Sequence, residues 1–270
     1  MEASVDSPPD GAYRADEPTA ALRSTHLMAM YLAEYTGKGV RIAVIDSGVH
    51  AEHPHVRGVA GGMAIREDGS ILDEYVDRLG HGTAVTAAIR EKAPDAEIFA
   101  IKVFWRALAT DITTLVRAID EAAAGGVALI NLSLGTAEMR HRDQLASAVA
   151  RARTRNAIIV AANDDGGVRW LPGCLEDVIA VRADWACERD AYTVSFVEDR
   201  PVLSTSPYPR DIPGVSREQN VNGVSFAVAN ASAFVARALE ASPGAGRATI
   251  AKVFSTLEGA ASAQRSPVRR

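Results

Sequence analysis

Apolar residues fall along the chain in two alternating patterns. Five short runs are apolar at nearly every position: Arg41–Asp46 (RIAVID), Glu97–Phe104 (EIFAIKVF), Ala128–Ser133 (ALINLS), Ala157–Ala162 (AIIVAA) and Asp177–Val181 (DVIAV). Such runs predict strands covered on both faces, as in a parallel sheet. Between them, Ile112–Ala124 carries Ile112, Leu115, Val116 and Ile119 at helical spacing and stops at Gly125-Gly126. Gln144–Arg155 and Phe226–Ala241 predict two further helices. Alternation of strand and helix predicts an α/β fold with right-handed crossovers. Working residues of such sheets gather at the carboxyl ends of the strands.

The two ends of the chain break the pattern. Residues 1–25 are polar and proline-rich and predict a flexible arm, and residues 259–270 predict a flexible tail. No repeat or linker interrupts residues 26–258, which predict a single domain. Hydrophobic residues make up 47% and charged residues 23%, an ordinary globular balance. The formal net charge of −5 gives no electrostatic reason to expect nucleic acid or an anionic membrane as a partner. No uncharged apolar run approaches the roughly 18 to 20 residues that span a bilayer. The opening MEASVDSPPDGAYRADEP lacks the basic start and apolar stretch of a secretory signal, so the expected location is the cytoplasm. Cys174 and Cys187 provide neither a disulfide framework nor zinc-ligand spacing.

Three segments concentrate chemistry at predicted strand ends or helix starts. Ile45-Asp46-Ser47-Gly48 ends a buried strand on an acid; Gly80-His81-Gly82-Thr83 opens the apolar stretch Ala84–Ile89; Asn222-Gly223-Val224-Ser225 opens a long Ala-rich helix. Alone, Asp46 also fits a turn former or a cation ligand, His81 a structural histidine, and Ser225 a helix N-cap. Together, in the order Asp, His, Ser with small residues around each, they fit a serine-hydrolase triad.

These segments resemble the subtilisin-like serine peptidases (subtilases). TGKGVRIAVIDSGV followed by His53-Pro54 resembles the family's aspartate segment, Asp77–Thr83 (DRLGHGT) its histidine segment, and Gly223–Ala227 (GVSFA) its serine segment. Lys102-Val103-Phe104, Asn131–Gly135 (NLSLG) and Val160–Asn163 (VAAN) fall between them in the family's order, and the likeness runs from about Thr36 to Leu239. It implies a three-layer, mostly parallel central sheet with helices on both faces. Ser225 is then the nucleophile, His81 the base, and Asp46 the group that orients and stabilises the imidazolium. The Asn163 side-chain amide and the Ser225 backbone N–H would form the oxyanion hole. Ser133, Leu134 and Gly135 would pair with an extended substrate, with Ala161 and Ala162 beside it. Gly135 would leave space for the first specificity pocket, and Asp164 is either an acid at its rim, favouring a basic side chain, or a solvated loop acid.

The resemblance is not uniform. Val224 stands where the family usually has threonine, Ala229 where it has proline, Ala162 where it has glycine before the asparagine, and Ala84 where a second histidine is common. The stretch between His81 and Lys102 has no asparagine-rich loop, so the tight calcium site of secreted relatives is expected to be absent, and the chemistry requires no cofactor. His50, His53 and His55 cluster, but the resemblance accounts for His53 as half of a His-Pro pair, and no metal site is expected. The sequence therefore points to a serine endopeptidase of narrow specificity acting on a peptide or protein, for example in removing a leader from a precursor peptide. The alternative is a catalytically impaired peptide-binding module on the same fold. An esterase with a G-x-S-x-G elbow fails, because no histidine follows Ser225.

Overall fold

The computed structural model describes residues 32, 34–197 and 200–254; the expected arm and tail lie outside them. The described residues hold eleven strands: β1 (Arg41–Asp46), β2 (Gly61–Ile65), β3 (Ile71–Leu72), β4 (Glu97–Lys102), β5 (Leu129–Leu132), β6 (Ile158–Ala162), β7 (Asp164–Asp165), β8 (Val168–Arg169), β9 (Val178–Ala183), β10 (Tyr192–Val197) and β11 (Arg200–Thr205). Nine of them form one sheet in the order β10-β11-β9-β6-β5-β1-β4-β2-β3. The seven inner strands run parallel, and the outermost pairs, β10 with β11 and β2 with β3, are antiparallel.

The fold is α/β, with helices on both faces of this sheet. Helices α1 (His81–Lys92) and α4 (Val224–Ala241) cover one face, where Val44, Val85, Val160, Ala227 and Phe234 share a core. On the other face lie α2 (Ile112–Ala124) and α3 (Arg142–Thr154), closing a second core around Ile45, Leu115, Ile130, Val149 and Ile159. Residues 247–254 are also helical and send Ile250 and Phe254 into the first core. The apolar stripe read in the sequence is the buried side of α2, and Asp111 caps it by accepting from the Thr113 and Thr114 amides at 2.8 and 3.0 Å.

Sheet order places the site. From β1 the chain runs through β2 and β3 to β4, all on one side, and returns by α2 to β5 on the other, so β1 is the point at which the strand order reverses. The crevice beyond the carboxyl ends of β1, β5 and β6 is where such sheets bind their ligands. Asp46 ends β1, Ser133 follows β5, and Asn163 follows β6. The predicted strand Glu97–Phe104 stops two residues early, because the Val103 and Phe104 amides turn to the Asp46 carbonyl at 2.8 and 3.3 Å.

Candidate active site

Asp46 is fully buried. Its Oδ1 accepts from the Ser47 amide at 2.7 Å and from His81 Nδ1 at 2.8 Å, with Oδ2 at 3.0 Å from the same nitrogen. A carboxylate there puts the imidazole proton on Nδ1 and leaves Nε2 as an acceptor. Burial pushes His81 toward its neutral form, but the hydrogen bond and charge of Asp46, with the charge of Asp77, outweigh it and hold the imidazole above its ordinary value of 6.5.

Close packing fixes the histidine. A Cβ on Gly82 would lie 2.2 Å from the Gly48 carbonyl oxygen and 3.1 Å from Asp46 Cβ, so only glycine lets α1 start this close to β1. Asp77, assigned no role by the sequence, organises the turn before His81. Its carboxylate accepts from Ser47 Oγ and the Leu79 amide at 2.9 Å, the Gly80 amide at 2.8 Å, the Thr83 amide at 2.9 Å and Thr83 Oγ1 at 2.6 Å. Fully buried Lys102 donates to the Val76 carbonyl at 2.6 Å and holds the same segment from below. Burial raises the Asp77 carboxyl, but these hydrogen bonds bring it below its ordinary value of 3.8.

The Asp77 bonds therefore stabilise the fold above pH 3.8, and that contribution is lost as pH falls through the lower folded value. Asp77→Ala is expected to cost about 2–4 kcal/mol by leaving these donors without their charged partner. Thermal unfolding should show a lowered Tm at neutral pH and a gap that closes in acid. An unchanged Tm at neutral pH would contradict the cradle.

Ser225 sits at the second position of α4, after Gly223 and Val224, among amides that have no partner within the helix. Its Oγ donates to the Ser133 carbonyl at 3.1 Å, while Ser133 Oγ donates to the Ser225 carbonyl at 2.9 Å. Asn131 Nδ2 donates to Ser133 Oγ at 3.0 Å, and Ser232 Oγ to Asn131 Oδ1 at 2.9 Å. This buried chain ties the start of α4 to the end of β5. Ser225 and His81 line one cleft of about 660 Å³, yet among the described residues no hydrogen bond joins them.

The remaining expected site residues separate into two groups. Ser133, Leu134, Gly135 and Ala162 line the cleft. Ala161, Asn163 and Asp164 are set back from it: Ala161 is buried in the second core, and Asn163 is only 4% exposed. Asn163 Oδ1 accepts from Arg200, and its Nδ2 donates to Asp164 at 2.7 Å. Two expectations need correction. Asp164 is not a free acid at a pocket rim, because Arg182 pairs with it at 2.6 Å. Gly135 lines the cleft, but the place of its missing Cβ is taken by the Leu171 carbonyl oxygen, which a Cβ would meet at 2.5 Å, and not left for a substrate side chain. The cleft also takes in Trp170, a residue that nothing in the local sequence pattern singles out. Among the described residues, no group of three or more His, Cys, Asp or Glu side chains is placed to hold a metal ion, and no helix is long and apolar enough to cross a membrane.

Comparison with known proteins agrees with this architecture. Residues 37–266 match the model of the Subtilase family, peptidase group S8. The minor extracellular protease Epr of Bacillus subtilis (strain 168) is 35% identical over 163 residues, 56% of this chain and 24% of that protein. A thermostable alkaline protease of Halalkalibacterium halodurans is 29% identical over 198 residues, 69% of this chain and 51% of that protein. An intracellular serine protease of Paenibacillus polymyxa is 30% identical over 165 residues, 54% of this chain and 50% of that protein. The chain thus spans about half or less of the length of these curated relatives. Among solved structures, a cold-adapted subtilisin-like serine proteinase superposes with a TM-score of 0.64 at 19% identity, covering 82% of each chain. The prenylagaramide maturation protease PagA superposes with a TM-score of 0.60 at 23% identity, covering 79% of this chain and 80% of that one. At these identities the superpositions speak for the fold alone.

Proposed function

The chain belongs to the subtilase family, and from that premise we propose that it is a serine endopeptidase with Ser225 as nucleophile, His81 as general base and Asp46 as the group that orients His81. The observation that carries this reading is the buried Asp46 carboxylate on His81 Nδ1, which leaves Nε2 as an acceptor on a residue facing the same cleft as Ser225. Ser225 Oγ attacks the scissile carbonyl carbon as His81 Nε2 removes its proton. The imidazolium returns that proton to the departing amine, and the acyl-enzyme remains. Water then repeats the sequence and releases the acid. This chemistry needs no cofactor.

The resting contacts suggest how substrate starts the reaction. Ser225 Oγ rests on the Ser133 carbonyl, the acceptor that an extended peptide pairing with residues 133–135 would occupy with its own N–H. Binding then releases the hydroxyl toward His81. Charge on the tetrahedral oxygen falls to the Ser225 amide, and Asn163, which lies behind the cleft at rest, would join it with the N–H not bonded to Asp164. Arg200 on Oδ1 fixes which way the Asn163 amide faces, and of its two N–H donors one remains beyond the bond to Asp164.

The base must be unprotonated for attack, and its folded value is raised. The acid limb of kcat/KM is therefore expected above pH 6.5, the ordinary histidine value, in assays of a fluorogenic peptide. A limb below that value would show that Asp46 does not act on the base.

We further propose narrow specificity and a role in trimming a precursor peptide in the cytoplasm. Support comes from the likeness to the intracellular serine protease of Paenibacillus polymyxa and from the fold shared with the prenylagaramide maturation protease PagA. Mass spectrometry of unfolded casein treated with the protein tests this: a few discrete cuts are expected, whereas digestion to small peptides would indicate general degradation. A second reading, a catalytically silent peptide-binding module, is favoured by the Ser225 hydroxyl bonding to Ser133 and not to His81, and by Val224 before it.

A further inference from the structure

We propose that Trp170 limits the pocket beside the scissile bond to a small, uncharged side chain, that of glycine, alanine or serine. The inference rests on the reading of Ser225 as nucleophile and narrows the substrate class of that site. Trp170 lies on the loop that joins β8 to β9, and backbone bonds anchor it on two sides. Its amide donates to the Asn163 carbonyl at 2.9 Å, and Leu171 exchanges two bonds with Thr136, at 2.8 and 2.9 Å. The loop is thereby stitched between the ends of β5 and β6, across the segment Ser133–Gly135 that would hold the substrate backbone. The indole lines the cleft together with Ser225, Gly135 and Ala162. A Cβ on Gly135 would lie 2.5 Å from the Leu171 carbonyl oxygen and 3.7 Å from Trp170 Cε3, so carbonyl and ring together close the face that the absent side chain leaves.

Volume and polarity then set the guest. A side chain entering between Gly135 and Ala162 meets an aromatic ring and the Ala162 methyl in place of open space, and a close-packed wall does not yield to extra methylenes without strain. The indole Nε1 is buried, with no acceptor among the described residues, so what the ring turns to the cleft is carbon. A carbon wall offers a lysine or arginine head no acceptor in exchange for its water. The acid that would have attracted one, Asp164, is paired with Arg182. An aspartate or glutamate would lose its water against the same carbon wall, a poor exchange.

The experiment uses the full chain and three peptidyl chloromethyl ketones that share their upstream residues and end in alanine, phenylalanine or lysine. Each is scored by the rate at which it blocks later labelling of Ser225 by a fluorophosphonate. The alanine reagent is expected to act about 100-fold faster than the other two. Trp170→Gly should reverse the order of alanine and phenylalanine, with Trp170→Leu as the substitute if the glycine variant does not fold. Equal rates in the wild type, including equal failure to react, overturn the inference while leaving the nucleophile in place. Absence of fluorophosphonate labelling without any ketone overturns it through the reading on which it rests.

Discussion

Ser225→Ala is expected to lower kcat by on the order of 10⁶-fold, the magnitude that loss of the nucleophile has in subtilisin. The protein should otherwise stay intact. The hydroxyl makes one hydrogen bond, to the Ser133 carbonyl, and alanine loses only that. The reciprocal bond from Ser133 Oγ ends on the Ser225 backbone carbonyl, which the substitution keeps, so the start of α4 remains tied to β5. The stability cost should be about 1 kcal/mol or less. Peptide affinity, carried by the edge at Ser133–Gly135, should hold. Single-turnover hydrolysis and thermal unfolding of the two proteins check both halves. A loss of only a few-fold would remove Ser225 from the chemistry.

Asp46→Asn is expected to lower kcat by about 10⁴-fold without opening the site. Asparagine matches the carboxylate in shape, but its NH2 donates where the carboxylate accepted. Facing His81 Nδ1, it selects the tautomer with the proton on Nε2, and that nitrogen can no longer take the serine proton. The Ser47 amide also donates to Oδ1 at 2.7 Å, which directs the asparagine oxygen to Ser47 and the NH2 to His81. The residual acid limb should move down, because the hydrogen bond and charge that raise His81 both come chiefly from Asp46. A pH–rate profile of the variant tests this. An unmoved limb with full activity would mean that the pair is only structural.

Much of this site was legible in the chain because its parts sit where local pattern and sheet topology agree. The strands β1, β4, β5, β6 and β9 are central, parallel and covered on both faces, so their runs are apolar throughout and their ends differ from expectation by at most two residues. The outer antiparallel pair, β10 and β11, escaped notice: Tyr192–Val197 and Arg200–Thr205 mix buried and half-exposed positions with serine, threonine and proline. Glycines hid β2, which begins Gly61-Gly62. Ala- and Thr-rich α1 carries no strong apolar stripe, and only its histidine start drew attention.

What the sequence could not show is mostly long-range. Asp164 looks like a free acid until the sheet sets β9 beside β6 and brings Arg182 to it. Gly135 looks like room for a side chain until the Leu171 carbonyl fills that room from a segment folded back across it. Asp77 sits in plain view within DRLGHGT, yet its role depends on Ser47, thirty residues away in the chain, reaching it at 2.9 Å. Trp170 stands in an irregular loop, and only the pairing of Leu171 with Thr136 carries its ring to the cleft.

Whether Ser225 is an activated nucleophile is read by covalent labelling with a fluorophosphonate followed by peptide mapping. One adduct is expected, on Ser225, formed by the wild type, absent from Ser225→Ala, and faster above pH 6.5 than below it as His81 loses its proton. Folded wild-type protein that takes up no label at any pH would contradict it and leave the cleft as a site that binds peptides without cutting them.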